Sequence, residues 1–182
     1  MELFIKGQKH LYKTLDYYFK LFNFHPVNPK VLDVGCGDAC IAEVVFIKKI
    51  YETFNLNPDF TLNDKFSVNC LAPKLFFGDS VLFIDGDARD LTGDYGLIII
   101  RHPDLEVSET KELEWCEVFD NLRNLMSDES LLLATHFHSF GFLKLIEHLS
   151  KYFKLRGGLN PYYGPLIEGN VYFDKYVVLG YR

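Results

Sequence analysis

No apolar run in the 182-residue chain is long enough to span a bilayer. Lys6, Lys9, Lys13 and Asp16 interrupt the apolar residues at the N-terminus, so no signal peptide is expected there. The four cysteines, Cys36, Cys40, Cys70 and Cys116, form no Cys-x-x-Cys pair. A secreted disulfide framework is therefore not expected, and reduced thiols in a cytoplasmic protein are. Cys36 and Cys40 have the spacing that opens a radical-type iron–sulfur motif, but that motif needs a third cysteine at position 43, which is Glu43. An excess of basic residues is also missing. The net charge is −6, which argues against a broadly basic face for gripping a phosphate backbone, though it leaves room for a local patch. Internal repeats and low-complexity tracts are absent as well.

What remains is an ordinary globular composition, 48% hydrophobic and 24% charged, in a length that suits one domain with a sizeable core. Leu11, Leu15, Tyr18, Phe19 and Phe22 form one apolar stripe, predicting a helix over 8–23 that His25-Pro26 breaks. Tyr12, Tyr17 and Tyr18 on it serve packing or line a pocket. A short apolar strand is expected at 30–34 and a helix over 39–54. Further strands are expected at 60–63, 81–84, 96–101 and 130–135. Helices are expected over 109–126 and 139–151, and two last strands at 152–156 and 171–181. The segment 65–79 is poorly patterned. Leu97-Ile98-Ile99-Ile100 reads as a strand buried on both faces.

Strands and helices alternate until two strands follow in succession. The expected fold is therefore α/β: a doubly wound, mostly parallel seven-stranded sheet with an antiparallel last strand and helices on both faces.

The most informative stretch is Lys30 to Cys40, Lys-Val-Leu-Asp-Val-Gly-Cys-Gly-Asp-Ala-Cys. A strand runs into Asp33, and Gly35 and Gly37 follow at alternate positions before a helix-compatible run. Glycine permits a tight turn and close approach of a ligand to the main chain. The free N–H groups of the next helix can then receive a carboxylate. A dinucleotide-binding turn would need a third glycine at position 40, which is Cys40. A second motif is Phe83-Ile84-Asp85-Gly86-Asp87-Ala88-Arg89-Asp90-Leu91, and a third is Tyr95 to Pro103 at the end of the fourth strand.

In these three places the chain resembles the class I S-adenosylmethionine-dependent methyltransferases. The resemblance implies a single methyltransferase-like domain over 1–182, with an N-terminal helical cap at 1–29 and a Rossmann-like core at 30–182. It implies that Asp33, Gly35, Cys36 and Gly37 bind the methionine half of S-adenosylmethionine, with Asp33 facing the ammonium group. Asp87 would accept from the adenine amino group and Ala88 would offer its backbone N–H. Arg101 completes the expected cofactor contacts. The ribose hydroxyls need an acid after the second strand, for which Asp64 fits best, with Asp59 and Glu52 as fallbacks. Many members carry a third glycine where this chain has Ala39. The tetrapeptides Asn-Pro-Pro-Tyr and Asp-Pro-Pro-Tyr, which hold an exocyclic amine or a glutamine amide, are replaced by Arg101-His102-Pro103-Asp104.

His102 is then the candidate general base. His136 and His138, two apart on a strand, share a face and could converge with it on a polar substrate pocket. No metal is expected. Tyr162 and Tyr163 lie in a Pro-flanked loop that either lids the site or covers the sheet. Methyl transfer to a small molecule is the leading expectation. Transfer to nucleic acid or protein with the help of a partner is the alternative, and a non-catalytic S-adenosylmethionine-binding scaffold is a reading from another class. No membrane partner is expected.

Overall fold

A computed structural model describes residues 13–37, 40–162 and 174–182. Tyr12, Ala39, Tyr163, the start of the helix expected from residue 8 and the first residues of the strand expected over 171–181 lie outside them. The described helices are α1 over 13–21, α2 Cys40–Glu52, α3 Leu71–Phe77, α4 Glu109–Leu125 and α5 Ser139–Leu149. The strands are β1 Lys30–Val34, β2 Asp59–Asp64, β3 Leu82–Asp85, β4 Tyr95–Arg101, β5 Met126–His136, β6 Lys154–Leu159 and β7 Tyr176–Tyr181.

The strands form one seven-stranded sheet in the order β3-β2-β1-β4-β5-β7-β6. The pairs among β1 to β5 are parallel, and β7 runs antiparallel to both β5 and β6. The expected α/β doubly wound architecture is the one found. β1 is in register with β2 on one side and with β4 on the other, Asp33 opposite both Leu62 and Ile99. Chain connections leave β1 and β4 in opposite directions here. This is the switch point at which a crevice opens beyond the carboxyl ends of the strands.

The period-2 alternation of strand side chains divides the core in two. Val31, Leu62, Leu97, Ile99 and Leu133 pack with Leu15 and Phe19 of α1 and Val44, Ile47 and Tyr51 of α2. Leu32, Val34, Ile98, Ile100 and Leu132 pack on the other face with Phe119 and Leu122 of α4 and Leu145 and Leu149 of α5. Burial on both faces is why β4 reads as an uninterrupted apolar run.

Two local differences from the sequence expectation have physical causes. α3 lies inside the segment without pattern, because its large apolar residues Leu71, Leu75 and Phe76 are exposed while Pro73 is buried. β6 is displaced from 152–156 to Lys154–Leu159, running through Gly157 and Gly158, residues that ordinarily weaken a strand. No helix connects β3 to β4, only a 3₁₀ turn at Ala88–Asp90, so α4 packs against that turn directly. Among the described residues no helix is long and apolar enough to cross a membrane.

Candidate functional site

The turn after β1 is built on left-handed backbone, with φ of 67° at Gly35 and 59° at Gly37, where other residues are strained. It is tied to the end of β2. The Cys36 N–H donates to the Asn63 carbonyl at 3.0 Å, and the Gly37 N–H donates to Asp64 Oδ2 at 3.0 Å. Asp64 Oδ1 also accepts from the Phe66 N–H at 2.8 Å and Asn69 Nδ2 at 3.2 Å. Asp64 is thus the acid that closes β2 at the switch point. Asp59 starts β2 opposite Lys30, and Glu52 ends α2, so both lie toward the amino edge of the sheet.

Behind the turn, Asp33 and Glu43 of α2 are 3% and 2% exposed, and Asp33 Oδ2 and Glu43 Oε2 have no hydrogen-bond partner. Burial, with the Glu43 carboxyl alongside, pushes the Asp33 carboxyl well above the usual carboxylate range. Glu43 Oε1 in turn accepts from Arg101 Nη1 at 2.5 Å. The guanidinium then forks onto Asp174, Nε to Oδ1 at 3.2 Å and Nη2 to Oδ2 at 3.1 Å. Asp174, just ahead of β7, is 6% exposed and also takes Thr135 Oγ1 at 2.5 Å and His102 Nε2 at 2.8 Å. Burial alone would push the Asp174 carboxyl up, but Arg101, His102 and Thr135 outweigh it and hold the group well below the usual range. A chain of buried charge thus runs from β1 through α2 and β4 to the start of β7. His102 ends it with φ of 50°, a left-handed backbone that a histidine adopts only when its surroundings fix it.

On the far side of the turn, Asp87 caps the 3₁₀ turn. Its Oδ1 accepts from the Arg89 N–H at 3.0 Å and Nε at 2.9 Å, and its Oδ2 meets Arg89 Nη2 at 2.8 Å and Lys65 Nζ at 3.3 Å. The hydrogen bonds from Arg89 hold its carboxyl well below the usual range. The Ala88 carbonyl accepts from Asn121 Nδ2 of α4 at 3.1 Å. Trp115 of α4 brings its ring to 3.7 Å from where a Cβ on Gly35 would stand.

These elements enclose a cavity of about 260 Å³, lined among others by Gly35, Asp64, Asp87, Ala88, Arg101 and His102. All six were singled out from sequence. Asp33, Cys36 and Gly37 stand behind its wall. Lys65, Asn69, Lys111, Glu114 and Trp115 also line it and carried no sequence signal, although Trp115 is the single tryptophan. Glu43 and Asp174 were missed too, since nothing in the local sequence marks a carboxyl that a distant arginine will claim.

The remaining candidates fall around this edge. His102 and His136 have ring centroids 6.4 Å apart, as do His136 and His138. His136 is buried, and its Nδ1 accepts from the His138 N–H at 3.1 Å. Burial pulls its pKa down, so the ring is held neutral. Cys36, Cys40 and Cys70 are buried thiols. The contact with Cys40 and burial push Cys36 up, and burial pushes Cys70 up to about 12, so neither is an active nucleophile. Tyr17 meets Tyr162 edge-on, with centroids 5.7 Å apart. Among the described residues no group of three His, Cys, Asp or Glu side chains is arranged to hold a metal ion.

Comparison with known proteins adds the fold. No family model matches the chain, and no curated protein matches its sequence. Solved structures do match. A S-adenosylmethionine-dependent methyltransferase from Clostridium acetobutylicum aligns with a TM-score of 0.67 at 8% identity, over 95% of this chain and 91% of that one. The magnesium protoporphyrin IX methyltransferase of Synechocystis, solved with bound S-adenosylmethionine, gives 0.63 at 14%, over 97% and 80%. A tRNA methyltransferase of Aquifex aeolicus gives 0.63 at 13%, over 95% and 67%. The fold is that of the class I S-adenosylmethionine-dependent methyltransferases.

Proposed function

We propose that the chain is a single S-adenosylmethionine-dependent methyltransferase unit acting on a small-molecule acceptor. The observation that carries this reading is one cavity at the switch point, beside a left-handed glycine turn, lined by residues of all three sequence motifs. The residues fit the cofactor on a second count. Asp33 Oδ2 is buried without a hydrogen-bond partner just behind the turn, where it would face an ammonium group through water. Gly35, Cys36 and Gly37 would hold the methionine half. Asp64 takes three donors and a carboxylate offers about four sites, so it keeps room for a ribose hydroxyl. Asp87 already meets four donors, so it would bind the adenine amino group in exchange for Lys65, the most distant of them. Ala88 would offer its N–H to the ring. Arg101, paired with Glu43 and Asp174, would shape the wall.

When bound, the cofactor supplies a methyl group on a sulfonium, ready for displacement. The protein's share is to align the acceptor and exclude water. Asp174 accepts the Nε2 proton of His102, which leaves Nδ1 as the basic nitrogen, and His102 lines the cavity. An acceptor hydroxyl or amine that must lose a proton would give it to that nitrogen. The net charge of −6 favours a small molecule over a polyanion.

Titration calorimetry with S-adenosylmethionine and S-adenosylhomocysteine tests the binding, and a methyl-transfer screen over small hydroxyl and amine acceptors tests the activity. Binding of both that is lost in Asp33→Ala, with transfer to an acceptor, is the expected result. Absence of binding by folded protein would overturn the reading. Binding with no transfer to any acceptor class would favour the non-catalytic scaffold.

A further inference from the structure

On the sheet face opposite α1 and α2, helices α4 and α5 bring together a second group of reactive side chains. None of them lines the cofactor cavity. Cys116 Sγ lies 3.3 Å from His148 Nδ1 and 3.7 Å from Nε2. His148 Nε2 lies 2.8 Å from Glu112 Oε1, and Glu112 Oε2 is held by Lys144 Nζ at 2.5 Å. Lys144 is fixed in turn by the Leu105 carbonyl at 3.0 Å. Glu112 and Cys116 are one turn apart on α4, as Lys144 and His148 are on α5. Helical spacing therefore presents both pairs along one seam. Cys116 is half-buried, whereas Cys36, Cys40 and Cys70 are buried.

The hydrogen bonds fix the direction of proton flow. Glu112 is an acceptor only, and Lys144, with His148, holds its carboxyl below the usual range. His148 must then carry its proton on Nε2, and Nδ1, which also lies 3.4 Å from the donor Lys151 Nζ, is the unprotonated nitrogen that faces the sulfur. The charged groups around Cys116 divide. Lys151, whose Nζ is 3.4 Å from His148 Nδ1, favours a thiolate, while Glu112, Glu147 and Glu117 oppose it. Burial is the largest influence and keeps the resting thiol protonated. Reaction therefore needs a base at the sulfur, which is what His148 supplies.

We propose that Cys116 is a nucleophilic thiol, with His148 as its base and Glu112 as the positioning residue, that hydrogen peroxide or a small organic hydroperoxide oxidises to a sulfenic acid. The sulfur attacks one peroxide oxygen, so an S–O bond forms as the O–O bond breaks. The thiol proton passes to Nδ1, and the imidazolium returns it to the departing oxygen. Thiol and hydroperoxide give sulfenic acid and water or an alcohol. Sulfur is oxidised, the peroxide is reduced, and no other reactant is needed.

The test treats the full chain with hydrogen peroxide, traps sulfenic acid with dimedone and reads each cysteine by peptide mass spectrometry. Cys116 in the folded protein should react at least tenfold faster than in the urea-unfolded chain, while Cys36, Cys40 and Cys70 stay unlabelled. His148→Asn should remove the advantage. Glu112→Gln should slow the reaction and shift its pH profile, and Glu112→Asp should restore part of it. A folded wild-type rate no higher than the unfolded rate would overturn the proposal, whatever the variants do. So would an undiminished rate in a folded His148→Asn variant.

Discussion

Asp174 Oδ1 lies 2.8 Å from His102 Nε2, joining a residue two positions ahead of β7 to the first residue beyond β4. The same carboxylate holds both nitrogens of the Arg101 fork. Asp174→Asn keeps the shape and removes the charge, leaving Arg101 with Glu43 alone and His102 without an anion. Breaking a buried pair from one side typically costs about 3–5 kcal/mol. The urea unfolding midpoint should fall accordingly, and a loss under about 1 kcal/mol would show that the network is not held dry.

His102 is the proposed proton acceptor. His102→Gln should lower turnover by about 10²–10⁴-fold with little change in cofactor affinity. The pH dependence of wild-type turnover should be absent from the variant. Equal turnover in the two proteins would leave His102 to hold the loop alone.

Asp33 should make both stability and binding depend on pH. Burial, with Glu43, raises its carboxyl in the folded chain, so the native state keeps a proton that the unfolded chain releases near pH ~4. The native state binds more protons above that point, and this contribution to stability falls as pH rises through the folded value. Asp174 acts in the opposite sense. Its contribution is present above about pH 4 and is lost as pH falls toward its depressed folded value. Asp33→Asn should therefore lose less stability between about pH 5 and about pH 8 than the wild type does. An ammonium group arriving near Asp33 would favour loss of its carboxyl proton. Calorimetry in buffers of different ionisation enthalpy should then show net proton release on cofactor binding, and the variant should show less. Identical buffer dependence would place the ligand cation elsewhere.

Trp115 offers a direct optical reading, because it is the single tryptophan and its ring stands over Gly35. S-adenosylhomocysteine should change its emission with a midpoint equal to the calorimetric Kd. A saturating heat signal with unchanged emission would mean that the ligand binds away from the glycine turn.

Much of this was legible in the chain because the sheet is periodic and buried. Val31 to Val34 and Leu97 to Ile100 announce strands closed on both faces, and an Asp followed by alternating glycines places the turn. Asp64 could be singled out because the resemblance implies an acid after the second strand, and Asp64 closes that strand. The polar chain behind the turn was not legible, since its pairings span long stretches of sequence: Arg101 reaches 58 residues back to Glu43 and 73 forward to Asp174. Such pairings exist only once α2, the end of β4 and the approach to β7 meet at one edge of the sheet. α3 escaped for a different reason. Its apolar residues face outward, so no 3.6-residue stripe toward a core marks it.

The position of β7 bears on how the site is assembled. It follows β6 in the chain, yet it sits inside the sheet, between β5 and β6. Strands β1 to β5 can pair before it, but the place beside β5 stays open until β7 has been made. Asp174 arrives with β7, so Arg101 and His102 acquire their common anion only then. All three sequence motifs therefore precede the carboxylate that joins their far edge, and a chain truncated short of Asp174 carries every motif without a finished site.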